Sequence, residues 1–223
     1  MRRRDFLVLS AAAAMPAAGR LPVKKGIYWG MLPGKLDYAE RCRLAREAGF
    51  EALEVGTVED PREAAEIKKA ADAAGLPIHS VMNQAHWKYP LSSADPAVVE
   101  RSIQGMQTSL ENARLWGAEV VLLVPAVVNA ETGYREAWER LQRQIRRLLP
   151  LAEKYKVTIA VENVWNKFLL SPLEFARYVD EFASPWVRAY FDVGNVLLFG
   201  FPEDWIRTLG KRIVRVHLKD FRF

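Results

Sequence analysis

Three short apolar runs toward the end of this 223-residue sequence each finish on a residue able to hold a divalent cation. They are Val157-Thr158-Ile159-Ala160-Val161-Glu162, Val187-Arg188-Ala189-Tyr190-Phe191-Asp192 and Ile213-Val214-Arg215-Val216-His217. A run of five or six β-branched or aromatic residues reads as a strand. An ionisable side chain at the exit of such a strand is costly to bury unless something pairs with it. Two carboxylates and one imidazole form an oxygen-rich donor set. Such a set suits Mn²⁺, Mg²⁺ or a similar ion better than a closed structural zinc site. Taken singly, Glu162 reads as a helix cap, Asp192 as a turn former before Gly194, and His217 as a core histidine. Their recurrence at three equivalent strand ends is what points to metal chemistry.

The elements that position them alternate from residue 23 onward. Strand-like runs cover 25–30, 52–55, 78–82, 120–124, 158–162, 187–192 and 213–217. Helix-like stretches cover 36–48, 61–74, 96–116, 131–155, 172–182 and 203–209. Asp60, Asp95 and Ser171 each stand as a cap before a proline at the first helical position. Gly49, Gly75 and Gly117 follow helices where a left-handed residue is wanted. Seven strands alternating with six helices imply an α/β fold with a parallel sheet and right-handed crossovers. No Gly-x-Gly-x-x-Gly follows the first strand, which argues against a dinucleotide-binding open sheet. The expectation is a (β/α)8 TIM barrel, C-terminally incomplete: seven strands are present and the sequence stops at Phe223, short of a last helix–strand–helix. In such a barrel the C-terminal strand ends carry the chemistry.

Composition bounds the remaining readings. Half of the residues are hydrophobic, enough for one large core, and no low-complexity linker divides the chain. Residues 1–20 read as a twin-arginine export signal: Arg3-Arg4-Asp5-Phe6-Leu7, a modest apolar stretch, then small residues at Ala17, Ala18 and Gly19. The barrel then occupies 21–223, and the protein is expected in the periplasm or outside the cell. No run approaches the ~20 apolar residues of a membrane anchor. Without residues 1–19 the formal net charge falls from +5 to +3. Arg143, Arg146 and Arg147 cluster on what reads as a solvent-facing helix surface, so no nucleic-acid partner is expected. The single cysteine, Cys42, reads as a buried inert thiol. Further candidates line the expected barrel mouth. Glu54 ends the second strand, His79 lies in the third and reads equally as a core residue, and His86, Trp87 and Lys88 follow it. Trp165 can wall the mouth or pack over the rim; Asn166 and Lys219 stand near the proposed ligands, Lys219 with Asp220 as an alternative partner.

The motifs Val161-Glu162-Asn163, Phe191-Asp192-Val193-Gly194-Asn195 and Val216-His217-Leu218-Lys219-Asp220 resemble those of xylose isomerase-like TIM-barrel sugar isomerases and epimerases. The stretch from Ser184 to Asp220 looks most like the L-ribulose/L-xylulose-5-phosphate 3-epimerase branch. The resemblance implies one divalent metal, Mn²⁺ first and Mg²⁺, Co²⁺ or Zn²⁺ otherwise, held by Glu162, Asp192 and His217. It makes Glu162 an acid/base carboxylate as well. It also implies a metal-stabilised cis-enediolate, through which a ketose is epimerised or isomerised. Some relatives bind substrate through a histidine where this chain has Asn195, which can still donate a hydrogen bond. Glu54, His79, Asn195, Trp165 and Lys219 are the expected sugar contacts. The family's strand-8 glutamate, its fourth ligand and second acid/base, has no counterpart before Phe223. That departure leaves three readings open: an isomerase, a keto-glycoside β-eliminating lyase on the same scaffold, and an inactive sugar-binding remnant. Export favours an unphosphorylated sugar or keto-glycoside. A zinc-dependent abasic-site endonuclease is disfavoured, because that chemistry uses many histidines and this chain has three. A homo-oligomer is compatible with all of this.

Overall fold

The computed structural model describes residues 23–219. The expected export signal therefore lies outside the described residues, as does Asp220. The elements, in order, are β1 (Gly26–Tyr28), α1 (Tyr38–Glu47), β2 (Ala52–Gly56), α2 (Pro61–Ala73), β3 (Ile78–Met82), α3 (Pro96–Trp116) and β4 (Val120–Leu123). There follow α4 (Tyr134–Tyr155), β5 (Thr158–Glu162), α5 (Pro172–Asp180), β6 (Val187–Asp192), α6 (Val193–Val196), α7 (Pro202–Leu209) and β7 (Ile213–His217). The strands form one parallel sheet in sequence order, β1 to β7. The sheet is curled: Tyr190 on β6 donates to Glu54 on β2, and Arg215 on β7 donates to His79 on β3. Among the described residues, seven parallel strands wound this way match seven of the eight strands of a (β/α)8 barrel.

Alternation along the strands sorts side chains between two cores. Val120, Leu122, Val124, Ala160 and Tyr190 face the inside of the curl. Leu53, Val55, Val81, Val121, Leu123, Ile159, Val161, Ala189 and Phe191 face outward, against helix residues such as Ala45, Ile67, Ile103, Leu110, Leu141, Ile145 and Phe175. Each large side chain of this layer contributes about 1.5–3 kcal/mol of burial. The helices begin where their caps predict. Asp60 accepts from Arg62 N at 2.8 Å, Asp95 from Ala97 N at 2.8 Å, and Ser171 from Glu174 N at 3.2 Å. Gly117 closes α3 at φ 73°, a conformation that disfavours any side chain with a Cβ.

Several boundaries differ from expectation for local reasons. The first strand, expected over 25–30, stops at Tyr28, because Trp29–Met31 winds into a 3₁₀ turn closed by Leu32 N donating to Trp29 O. The fourth helix starts at Tyr134 rather than 131. The Asn129 side chain holds Glu131 N and Thr132 N in a turn that a helix cannot share. The fifth stops at Asp180, before Ala183 adopts φ 48°. The short α6 is not among the expected helices; Asp192 caps it by accepting from Asn195 N at 2.9 Å.

Candidate functional site

Glu162, Asp192 and His217 are the last residues of β5, β6 and β7, so neighbouring parallel strands deliver them to one end of the curl. Each offers a ligand atom, and these atoms all lie within 4.8 Å of one another. His217 Nδ1 is 2.8 Å from Glu162 Oε1 and 4.0 Å from Asp192 Oδ2. Its Nε2 is 3.0 Å from Glu54 Oε1. Both candidate carboxylates are buried, Glu162 to 6% and Asp192 to 2% exposure. Burying anions is favourable only with counter-charge close by. His217 supplies one positive charge and Lys219 another, with Nζ 2.9 Å from Asp192 Oδ2.

The electrostatics of the cluster follow from this packing. Burial pushes the Glu162 carboxyl up; the His217 contact opposes this, and the charges of Asp192 and Glu54 reinforce it, so the group stays above the usual carboxylate range. Burial works against the His217 cation, but hydrogen bonds and charges from Glu162 and Glu54 prevail and raise its pKa to about 10. For Glu54, burial is outweighed by His217 and by the Tyr190 hydroxyl, which together hold the carboxyl low. Two buried carboxylates and one imidazole, the imidazole becoming a ligand once it gives up a proton, form a donor set that fits a divalent cation.

Asp192 is fixed by its neighbours. The β5–β6 ladder ends at the pair Glu162–Tyr190, so Asp192 has no strand partner on that side. The Asn163 side chain substitutes for it: Nδ2 donates to Asp192 O at 2.9 Å, and Oδ1 accepts from Asp192 N at 2.8 Å. Asn195 Nδ2 donates to Asn163 O at 2.7 Å, and Asn195 Oδ1 accepts from Lys219 Nζ at 2.7 Å. Asn195, expected as a sugar contact, is thus buried and engaged inside the network. Lys219 pairs with Asp192, with its Nζ 5.7 Å from the Trp165 ring centroid. Trp165 donates from Nε1 to Asn195 O at 3.0 Å and leaves over half of its surface exposed at the rim. Asn166 donates to Ala126 O and accepts from Phe168 N, tying the loop after β5 to the loop after β4.

Glu54 and His79 part company. A bulge between Leu53 and Glu54 sets Ser80, not His79, opposite Glu54. Glu54 points into the curl beside His217. His79, readable from sequence as a mouth residue or equally as a core residue, is partly buried and held by Arg215. Its Nδ1 accepts from Arg215 Nε at 3.0 Å, and Arg215 also binds Glu119, just ahead of β4. Its ring crosses β1 so closely that a Cβ on Gly26 would sit 2.5 Å from Nε2. Burial and the Arg215 charge lower the His79 pKa to about 4. His86 is buried too, accepting from Val124 N at 3.2 Å, while Trp87 beside it is exposed. The residues missed from sequence are Tyr190 and Arg215. Each stands two positions before a metal-ligand candidate on the same strand face, so a period-two reading could have found them.

The profile of the xylose isomerase-like TIM barrel matches residues 42–223. The chain belongs to that family. It is 27% identical over 208 residues to a Haemophilus influenzae protein provisionally named an L-ribulose-5-phosphate 3-epimerase, covering 88% of this chain and 73% of that one. It is likewise 27% identical over 206 residues to the L-ribulose-5-phosphate 3-epimerase UlaE of Escherichia coli, covering 87% and 72%. Among solved structures, the fold is shared with apo 3-keto-D-glucoside 4-epimerase from E. coli at a TM-score of 0.78 and 15% identity, covering 89% of this chain and 79% of that one.

Proposed function

We propose that this chain is a divalent-metal-dependent sugar epimerase or isomerase, with Mn²⁺ as the resident ion. The observation that carries the reading is the convergence of Glu162, Asp192 and His217 at the ends of three adjacent strands, with Glu162 held above the ordinary carboxylate range. When bound by these three, the ion supplies Lewis acidity toward a ketose carbonyl and its neighbouring hydroxyl. Glu162 then serves as proton carrier at the α-carbon. Burial raises its pKa above that of a free carboxylate, which makes it a stronger base. Asp192 is held immobile by Asn163 and Asn195, which keeps its oxygens oriented. The exposed Trp165 ring and Lys219 form the rim wall against which hydroxyls and an apolar sugar face settle.

The twin-arginine reading of residues 1–20 supports an exported protein. Sugar phosphates are cytoplasmic, so the proposed substrate is an unphosphorylated ketose or keto-glycoside. The L-ribulose-5-phosphate epimerases among the relatives support epimerisation at the carbon next to the carbonyl. The test is incubation of Mn²⁺-loaded protein with a panel of ketoses, keto-glycosides and their 5-phosphates, with products read by NMR. Epimer formation that stops on chelation supports the reading. Conversion of phosphorylated sugars alone overturns the substrate class, and no conversion of any panel member overturns the activity. N-terminal sequencing of periplasmic protein is expected to begin near Gly19 or Arg20; full-length protein in the cytoplasm would contradict export.

A further inference from the structure

The His217 ring meets carboxylates on both edges. Its Nδ1 faces Glu162 at 2.8 Å and Asp192 at 4.0 Å, the two residues with which it could share an ion. Its Nε2 faces Glu54 at 3.0 Å, on the far edge of the ring. Glu54 comes from β2, across the curl and 163 positions away in sequence. It is 2% exposed, and its second oxygen accepts from the Tyr190 hydroxyl at 2.6 Å. Tyr190 also packs on the His217 ring, with centroids 4.4 Å apart. Both carboxylate oxygens are therefore engaged, and the aromatic ring that fixes Glu54 also fixes the plane of His217.

We propose that Glu54, set by Tyr190, is a positioning residue that fixes the tautomer of His217 for cation binding. This rests on the metal reading above. An imidazole that holds a cation offers a lone pair from one nitrogen and keeps its proton on the other. With a carboxylate acceptor at Nε2, that proton stays on Nε2, and Nδ1 is left facing Glu162 and Asp192. A carboxylate behind a ligating histidine also raises the basicity of the ligating nitrogen. Glu54 thus acts through His217 and does not touch sugar. The bulge at Leu53/Glu54 serves this arrangement, since it sets the register at which Glu54 enters the curl.

The test uses Mn²⁺ titration by calorimetry and ¹⁵N NMR of the imidazoles in Mg²⁺- or Zn²⁺-loaded protein. In the wild type the His217 proton is expected on Nε2 and the metal on Nδ1. Glu54→Leu removes the acceptor and is expected to weaken Mn²⁺ binding about 10–100-fold, with the single Nε2–H tautomer lost. Glu54→Gln keeps an acceptor and is expected to retain the tautomer with less than tenfold loss. Tyr190→Phe, which keeps the ring and removes the hydroxyl, is expected to fall between wild type and Glu54→Leu, and it decides the matter if Glu54→Leu does not fold. Wild-type protein that binds Mn²⁺ through Nε2, or variants with unchanged affinity and tautomer, would overturn the proposal while leaving the metal reading intact. Wild-type protein that binds no metal would overturn both.

Discussion

Replacing Asn163 with leucine should damage the protein far more than its small polar side chain suggests. Asn163 is 3% exposed, and it bonds both the N–H and the C=O of Asp192, where the β5–β6 ladder has already ended. Leucine has similar bulk but no hydrogen-bonding group, so both backbone groups of Asp192 would be buried without partners. Each such orphan costs about 1–3 kcal/mol, for a total of ~2–6 kcal/mol. That is a large fraction of the ~5–15 kcal/mol by which folded domains are stable. At roughly 2–4 °C per kcal/mol for a chain of this size, the expected fall in Tm is about 5–25 °C. Thermal unfolding followed by circular dichroism on the metal-free protein reads the stability, and Mn²⁺ calorimetry reads the site. Because Asp192 would be less firmly held, metal binding should weaken as well. A loss of stability below about 1 kcal/mol would refute the reasoning, since it would mean that Asp192 finds other partners without Asn163.

Three further outcomes follow from His217 and Cys42. With its pKa raised to about 10, His217 is protonated at pH 7.5 and gives up a proton to bind a cation. Calorimetry in buffers of different ionisation enthalpy should show close to one proton released, and Mn²⁺ affinity should climb with pH; a pH-independent affinity would contradict this. In the metal-free protein the same raised pKa adds stability that is complete below the ordinary value of 6.5 and is lost as pH rises toward about 10. The Tm of chelated protein should therefore fall across that window, and a flat profile would remove His217 from the account. Cys42 is fully buried and burial pushes its thiol up to about 11, so it should react with a thiol reagent only on unfolding. Rapid labelling of the native protein would count against the packing described.

Much of the fold was legible because local chemistry determined it. Strands β3, β5, β6 and β7 and helix α3 run over the residues that their patterns predict, bounded by capping residues, prolines and glycines whose effects are local. Glu162, Asp192 and His217 were legible for the same reason: each ends a recognisable strand, and parallel neighbours present their ends to one face. What escaped the sequence depends on register and on long-range approach. The bulges at Leu53/Glu54 and Ala189/Tyr190 shift the pairing register, and the first separates Glu54 from His79. The Glu54–His217 and Tyr190–Glu54 contacts join residues 163 and 136 positions apart, and no local pattern encodes them. Asn163 was visible as the second half of a Glu-Asn pair, but its task became visible only once the β5–β6 ladder was seen to end one pair short of Asp192.

Exchange of the substrate α-proton with solvent tests the central claim most directly. In D₂O, Mn²⁺-loaded wild-type protein should wash deuterium into the carbon beside the carbonyl of an accepted ketose or keto-glycoside. Glu162→Gln, which keeps the shape and removes the proton carrier, should slow that exchange by about 10²-fold or more. Exchange that persists at the wild-type rate in Glu162→Gln would contradict the assignment of Glu162 as the proton carrier.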